Sequence, residues 1–319
     1  MDSTTITHIA ETEEIKILKA NFGNTVHFFA PGLKHYEIPE FKPGNPNAFL
    51  PISLTGKACA LDCDHCDKKI LEPMIPLDPK RGVFDMAKTL QSRGTEALLI
   101  SGGSMKNGQV PFLKHIEQIK RIKDELGMKI IMHTGLVDEE MTQGLQYAGV
   151  DGVALDIIGA DETIREVYHM DATVESFDES LRLLDKYNLS TRPHIILGLH
   201  YGRMLGEERA LEMISQYKTH ALILVILTPL HDTKMWGVEP PPVSEVEAFF
   251  LRARRKMPDT KILVGCARPG GEYKKQVDRA AIKAGLNGIA YPAQGIIDYA
   301  ASYGLRPAFY ENACSCGID

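Results

Sequence analysis

The residues of this chain best suited to metal or redox chemistry are its six cysteines. They form two groups of three, Cys59, Cys63 and Cys66 in the first quarter and Cys266, Cys314 and Cys316 in the last. The N-terminal stretch has no basic region leading into an apolar one, so we expect no secretory signal. A reducing cytoplasm works against a disulfide framework. The cysteines therefore favour metal binding or catalysis.

The first group has the spacing C-x3-C-x2-C within the segment TGKACALDCDHCDKK. A loop of this spacing can wrap three thiolates around one [4Fe-4S] cluster, whereas electron-carrying clusters are usually held by four cysteines. Three ligands leave one iron open to a substrate or cofactor. The alternative is a zinc site, in which His65 would supply the fourth ligand of a tetrahedral ion.

The second group combines Cys266, in the segment VGCARPGGEY, with a C-x-C pair close to the C-terminus. The chain before the pair, at about 3.3 Å per extended residue, is long enough to bring it back to Cys266. Three thiolates there predict an auxiliary [4Fe-4S] cluster, with one iron free or capped by Ser315 or Arg268. The alternative is that Cys266 is a small core residue and the pair lies in a disordered or redox-labile tail.

Short apolar runs alternate with amphipathic stretches, and these elements must position the cysteines. Apolar strands joined by helices indicate a parallel sheet covered on both faces. We predict eight strands, at 49–54, 97–101, 129–133, 152–156, 194–198, 222–227, 261–265 and 288–292. Eight such units indicate an α/β fold, a closed (β/α)8 TIM-type barrel with its chemistry at the carboxyl ends of the strands. An open doubly wound sheet is the alternative.

The barrel is predicted to span residues 49–304. Residues 1–48 contain the segment HFFAPGLKHYEIPEFKPGNPN, which is rich in proline, glycine and aromatic residues and indicates an irregular N-terminal arm packed on the barrel. Residues 305–319 are predicted to form an irregular C-terminal tail that carries Cys314 and Cys316.

The first cysteine group, placed directly after the first predicted strand, resembles the signature of the radical S-adenosylmethionine (SAM) superfamily. The resemblance implies that the open iron binds the amino and carboxylate groups of SAM and that reductive cleavage of SAM gives a 5'-deoxyadenosyl radical. His65 stands where the superfamily usually has an aromatic residue that meets the adenine. The segment SGGS resembles its Gly-Gly-Glu stretch, with Gly102 and Gly103 retained and Ser104 in place of the usual Glu. Glycines there permit close backbone approach to a ligand.

Two further segments match the superfamily in part. Asp156 ends the fourth predicted strand and Arg165 follows it, so both are candidates for binding the ribose or carboxylate of SAM, or for a structural ion pair. The fifth strand, HIILGLHYGR, retains Ile196 and Gly198 of a Gly-x-Ile-x-Gly-x-x-Glu stretch that lies near the adenine. Ordinary barrel packing is the alternative for this pair.

The combination of SLTGKACALDCDHC, GCARP and the terminal C-x-C resembles the two-component lipoyl synthases found mainly in archaea, a biotin-synthase-related group. The resemblance implies two [4Fe-4S] clusters per chain and sulfur insertion, at C6 or C8, into an octanoyl chain on a lipoyl-carrier protein. The implied partners are that carrier, an H protein or an acyltransferase lipoyl domain, together with a homologous second synthase component and an electron donor.

Three other functions remain open. Biotin synthase also inserts sulfur, but it holds its sulfur-donating cluster with cysteines on middle strands, where this chain has none. Barrel enzymes that rearrange amino acids or assist hydrogenase maturation would have no use for the second cysteine group. A non-catalytic iron–sulfur or zinc scaffold would bind metal without cleaving SAM.

The composition points away from two classes of partner. The net charge is −6, and 24% of the residues are charged without a run of one sign. This pattern offers no electrostatic footprint for nucleic acid or an anionic membrane. Since no apolar segment approaches the length of a membrane span, we expect a cytoplasmic protein.

Overall fold

Among the residues that the computed structural model describes, 9–32 and 34–317, eleven strands lie parallel in one curled sheet. The strands are β1 (Thr25–Phe29), β2 (Phe49–Ser53), β3 (Ile75–Pro76), β4 (Ala97–Ser101), β5 (Lys129–His133), β6 (Gly152–Asp156), β7 (Thr191–Leu197), β8 (Ala221–Ile226), β9 (Lys261–Val264), β10 (Gly288–Ala290) and β11 (Arg306–Tyr310). Their order is β11-β1-β10-β9-β8-β7-β6-β5-β4-β2-β3. All eight predicted strands are confirmed, as β2 and β4 to β10.

Helices cover the sheet because each carries an apolar face. They are α1 (Glu13–Phe22), α2 (Gly82–Gln91), α3 (Ile116–Arg121), α4 (Glu139–Ala148), α5 (Asp161–Thr163), α6 (Val174–Lys186), α7 (Glu207–Ile214), α8 (Val243–Lys256), α9 (Gly271–Lys283) and α10 (Ile296–Ala301). Helix α4 shows how their ends are set: the Asp138 side chain accepts a hydrogen bond from the Met141 amide, and Gly149 ends the helix at φ 65°. Within the described residues, none of the helices is long and apolar enough to cross a membrane.

The buried strands explain the parallel sheet. All six residues of β8, ALILVI, are buried, as expected for a strand covered on both faces. Because every strand runs in the same direction, the residues that follow β2, β4, β5 and β6 meet at one edge of the sheet. This edge carries the first cysteine group.

The terminal segments are more regular than predicted. Strand β1 pairs with β10, and β11 pairs with β1, so the sheet extends beyond the eight predicted strands. Pairing satisfies backbone groups that β10 would otherwise leave exposed at an edge. The linear strand order leaves β3 and β11 as the two ends of the described sheet, so the (β/α) architecture curls without the pairing that would close a barrel.

After β11 the chain turns into the concave side of the sheet. A single 3-10 turn, Ser315–Gly317, packs against β6, β8 and β10. Cys314, Ser315 and Cys316 are 3%, 1% and 8% exposed. The end of the chain therefore fills space on the concave side of the sheet, and its two thiols lie among the strands.

Candidate active site

The loop that follows β2 carries the first cysteine group to the carboxyl edge of the sheet. Cys63 and Cys66 are buried, while Cys59 is partly exposed. One donor atom from each of Cys63, His65 and Cys66 lies within 4.8 Å of the other two. All three cysteines line a cavity of about 300 Å³, and so does His65. The structure thus brings the predicted motif to the mouth of a cavity large enough for a small molecule.

The segment after β4 supports this loop from one side. The Gly103 amide donates to Oγ1 of Thr55 over 2.7 Å, and the Ala60 amide donates to the carbonyl of Ser104 over 2.8 Å. A Cβ on Gly103 would lie 2.1 Å from the carbonyl oxygen of Ala58. Gly102, Gly103 and Ser104 also line the cavity. The glycines therefore allow the loop and the segment after β4 to touch backbone to backbone.

A π-helical turn, Ile164–Tyr168, supports the loop from the other side. The Asp64 amide donates to the carbonyl of Val167 over 2.9 Å, and the Cys63 thiol lies 3.6 Å from the carbonyl oxygen of Tyr168. The Tyr168 ring packs against His65 with 4.9 Å between centroids. Single π turns occur often at functional sites. Sequence periodicity did not reveal this turn, since its residues also fit an ordinary helix.

Asp64, inside the cysteine motif, is a buried centre of hydrogen bonds that sequence reasoning missed. Its carboxylate lies 2.6 Å from Nε2 of His169 and accepts hydrogen bonds from Tyr201 and Lys234 over 2.6 and 2.7 Å. Burial raises the pKa of Asp64, but the hydrogen bonds from Lys234, Tyr201 and His169 outweigh burial and lower it. Asp64 therefore ties the cysteine loop to three separate segments. In the sequence, only the position of Asp64 between Cys63 and Cys66 could have indicated this role.

The thiols of the first group are suited to metal binding. A hydrogen bond from Cys63 lowers the pKa of Cys66, burial opposes it, and His65 lowers it further. The pKa of Cys63 is raised by its hydrogen bond with Cys66 and by burial. Within the described part of the chain, Nδ1 of His65 is buried without a hydrogen-bond partner. Three thiols facing one cavity beside an unpartnered nitrogen fit a metal cluster better than a packed core.

Three side chains, from the last residues of β5 and β6 and from the middle of β7, form a second polar group next to the cavity. A donor atom from each of His133, Asp156 and His194 lies within 4.8 Å of the other two. Burial raises the pKa of Asp156, but a hydrogen bond and charge from His133 outweigh it, and the pKa falls to about 2. Burial lowers the pKa of His194 to about 4. At neutral pH the group holds an ionised carboxylate beside a neutral imidazole.

Two cysteines of the second group, Cys314 and Cys316, are buried behind this polar group, and Cys266 is partly exposed. Sγ of Cys316 lies 3.3 Å from Nε2 of His194, and the Cys316 amide lies 3.3 Å from Sγ of Cys314. Burial, followed by the charge of Cys314, raises the pKa of Cys266 to about 12. A hydrogen bond from Cys316 lowers the pKa of Cys314 despite burial, with the buried Arg192 contributing. The hydrogen bond and the charge of Cys314 likewise raise the pKa of Cys316, so Cys314 raises the pKa of both other thiols.

Three predicted cofactor-binding residues lie away from the cavity. The Arg165 side chain is 66% exposed and pairs with Glu166 over 3.3 Å, because the π turn directs it to the surface. Ile196 lines a separate small pocket. The Gly198 amide donates to Oε1 of Glu207 over 2.9 Å, which is a structural contact. Asp156 does line the cavity, together with His133 and Tyr168, which were not predicted.

The two proposed caps of the second group differ in their surroundings. Arg268 is buried in an ion pair with Asp278, over 2.7 and 3.1 Å, and donates to two carbonyls. Its guanidinium therefore stabilises the segment after β9 through these hydrogen bonds. Oγ of Ser315 is buried, and no group in the described residues bonds to it.

Comparison with known proteins adds two kinds of similarity. The model of the Radical SAM superfamily matches residues 53–215. A biotin synthase from Ruthia magnifica subsp. Calyptogena magnifica is 24% identical over 266 residues, which cover 80% of this chain and 79% of that protein.

Two solved structures share the fold. The FeFe-hydrogenase maturase HydG from Carboxydothermus hydrogenoformans superposes with a TM-score of 0.66 at 15% identity, over 93% of this chain and 71% of that chain. Methylornithine synthase (PylB) gives a TM-score of 0.57 at 13% identity, over 92% and 87%.

Proposed function

Because the chain belongs to the radical SAM superfamily, we propose that it is a sulfur-inserting enzyme and one component of a two-protein lipoyl synthase. The substrate in this proposal is an octanoyl chain on a lipoyl-carrier protein. One C–H bond of the chain is exchanged for a C–S bond, and the sulfide comes from an auxiliary [4Fe-4S] cluster. Membership of the superfamily supports the radical chemistry of this proposal, and the second cysteine group supports sulfur insertion as the reaction.

The residues around the cavity have distinct tasks in this proposal. Cys59, Cys63 and Cys66 would hold the SAM-binding cluster. When bound, cluster and SAM supply a radical that takes hydrogen from an unactivated methylene, which acid–base chemistry leaves untouched. The backbone of Gly102 and Gly103 is available to polar groups of SAM, and the Asp156 carboxylate is ionised to accept hydroxyl donors.

The observation that carries the proposal is the burial of two cysteines of the second group, Cys314 and Cys316, beside the same cavity. Cys314 and Cys316 are buried inside the curl, and Cys316 touches His194, which itself neighbours the cavity residues His133 and Asp156. A redox-labile tail would leave its thiols in solvent. Thiols held inside the sheet next to a radical site are placed to hold a sulfur source.

The cavity lining is consistent with an alkyl substrate. Apolar side chains dominate it: Leu61, Ile70, Leu71, Met74, Leu99, Val110, Leu136, Met170 and Phe177. Ile70 is 57% exposed, so this apolar surface continues outward. An octanoyl chain would bury its methylenes there, each worth about 0.8 kcal/mol. The carrier protein, a second synthase component and an electron donor are the partners that we propose.

A biotin-synthase-like activity is the second candidate, and the 24% identity to biotin synthase favours it. That reaction also inserts sulfur at unactivated carbon. The two candidates differ in substrate, a free small molecule against a chain attached to a protein. Within the described residues, β5 ends at His133, β6 ends at Asp156 and β7 contains no cysteine, so the thiols of the second group come from the tail and from the loop after β9.

The deciding experiment compares the parent with a variant in which Cys266, Cys314 and Cys316 are all alanine, after anaerobic reconstitution. We expect about eight irons per chain in the parent and about four in the variant, since each cubane holds four. The reduced parent is then incubated with SAM and an octanoyl-lysine peptide. Mass spectrometry should find 5'-deoxyadenosine and a thiolated peptide.

The control for this experiment replaces two cysteines of the first group. Alanine at Cys59 and Cys63 should abolish SAM cleavage and leave about four irons in the auxiliary cluster. Four irons in both the parent and the triple variant would overturn the auxiliary cluster. Thiolation of dethiobiotin in place of the octanoyl peptide would establish the second candidate.

A further inference from the structure

We propose that the protein carrying the octanoyl substrate docks on a surface centred on Ile70 and Trp236. The inference rests on the proposed function, in which the octanoyl chain is attached to a lysine of a small protein. The surface consists of Lys69, Ile70, His231, Asp232 and Trp236, and we call it the rim patch.

The two apolar residues of the rim patch are unusually exposed. Trp236 and Ile70 are the two most exposed large apolar side chains of the described residues, at 59% and 57%. Trp236 is also the only tryptophan of the chain. Exposed apolar side chains that cluster on a surface mark sites of protein contact, and tryptophan is enriched among the residues that dominate binding. The pair is therefore a candidate centre of an interface.

The two side chains belong to one patch although they are far apart in the sequence. Nζ of Lys69, the neighbour of Ile70, lies 3.8 Å from Oδ2 of Asp232. Nδ1 of His231 lies 2.9 Å from Oδ1 of Asp232, and the His231 ring packs against the Trp236 ring with 4.9 Å between centroids. The rim patch thus runs from the loop of the first cysteine group to the loop after β8.

The loop after β8 is fixed in place behind the rim patch. Met235 is fully buried, and its amide donates to the carbonyl of Asp64 over 3.3 Å. The Lys234 ammonium donates to the Asp64 carboxylate over 2.7 Å, and the Trp236 amide donates to the carbonyl of Thr233 over 3.0 Å. Since this backbone is held before a partner arrives, binding has little chain to order, which favours affinity.

The position of the rim patch decides which partner it suits. Ile70 lines the cavity and is exposed at the same time, so a protein on the rim patch covers the edge of the cavity. A carrier can cover this edge and insert its octanoyl chain past Ile70 into the apolar lining. A second copy of this chain or an electron donor in the same place would obstruct the entry of the substrate.

The composition of the rim patch fits a partner that leaves after each turnover. Two apolar side chains flank a polar group in which His231 and Asp232 are 71% and 70% exposed. Stable dimers bury larger and more apolar interfaces, whereas a few large anchors within a polar surround are typical of transient complexes.

The test measures docking and turnover separately in the reconstituted full-length protein. Labelling with 5-fluorotryptophan gives one ¹⁹F resonance, at position 236, because the chain has one tryptophan. We expect this resonance to shift, with saturation, when a lipoyl domain octanoylated on its lysine is added. Calorimetry on unlabelled Trp236→Ala should find the affinity for this domain lowered by about 10-fold or more. Thiolation of the octanoyl-lysine peptide should be unchanged, since Trp236 lies outside the cavity lining.

Tyr147→Ala is the matched control, because Tyr147 is an aromatic side chain 50% exposed on α4. It should bind the lipoyl domain as the parent does. Circular dichroism checks each fold, and His231→Ala, which removes the ring that supports Trp236, is the second variant and should also weaken binding.

Several outcomes would overturn the docking surface. They are a ¹⁹F resonance unaffected by the octanoylated domain, unchanged affinity in folded Trp236→Ala, or a ¹⁹F shift caused by self-association or by a flavodoxin alone. The proposed function is judged by a different measurement. Docking at Trp236 without thiolation of domain or peptide would refute sulfur insertion and keep the surface, whereas a thiolated peptide without contact at Trp236 would do the reverse.

Discussion

The Tyr168 hydroxyl donates a 3.3 Å hydrogen bond to Oδ2 of Asp156, and so joins the π-helical turn after β6 to the last residue of β6. The same tyrosine ring packs against His65 in the cysteine loop. Three elements that meet at the cavity are therefore held by one side chain. Burial first, and then the charge of Asp156, raise the pKa of Tyr168 well above its ordinary value, so its hydroxyl stays a donor.

Tyr168→Phe tests this contact, because it removes the hydroxyl and keeps the ring against His65. We expect the free energy of unfolding to fall by about 1 kcal/mol, the usual worth of a buried hydrogen bond. SAM affinity should fall as well, since Asp156 loses its fixed orientation. Anaerobic urea titration and calorimetry measure the two effects. Tyr147→Phe is the control, an exposed tyrosine bonded to Glu117, and equal losses in both variants would contradict the prediction.

Gly103→Ala should prevent the cysteine loop from docking. The added Cβ would lie 2.1 Å from the Ala58 carbonyl oxygen and 2.6 Å from Cα of Cys59, and backbone atoms move only with the whole loop. We expect reconstituted protein to lose about four irons per chain, the content of one cluster. Gly270→Ala meets no atom within 4 Å and should keep its iron. Full iron content in the Gly103 variant would show that the loop docks differently.

Asp64→Asn should lower the free energy of unfolding by about 2 kcal/mol, because charge-assisted hydrogen bonds to the carboxylate are lost. The folded pKa of Asp64 is lowered. Its contribution is therefore complete above its unfolded pKa of about 3.9 and disappears as the pH falls through the lower folded value. Urea titrations of both proteins should differ by a constant amount from pH 5 to 8. A difference that already shrinks between pH 7 and 6 would contradict the assignment.

Asp278→Asn should be strongly destabilising. Its carboxylate and the Arg268 guanidinium are 0% and 1% exposed, and breaking a buried ion pair costs about 3–5 kcal/mol because one charge stays unpaired. The matched surface pair is Arg182 and Glu179, about half exposed, where Glu179→Gln should cost less than about 1 kcal/mol. Urea unfolding of the two variants provides the comparison. Similar values would mean that the buried pair is solvated.

The sequence alone determined the strands and the location of the first cysteine group. Runs such as ALLIS and LILVIL are too apolar and too short for anything but covered parallel strands, so their positions were predictable. Cys59, Cys63 and Cys66 lie close together in the sequence, so their spacing can be recognised without knowledge of the fold. The glycines after β4 were found for the same reason.

The tertiary structure decided the contacts between distant segments. Residues 311–317 turn back into the curl and bring Cys316 to His194, a contact across 122 positions that no periodicity encodes. Tyr168 lines the cavity, whereas Arg165, which was expected there, points to the surface. The π turn is the cause, because its extra residue per turn rotates the side chains that follow. The strand order and the edges β3 and β11 depend on backbone pairing. Hydrophobic pattern fixes which residues are buried, whereas packing decides which of the buried residues meet.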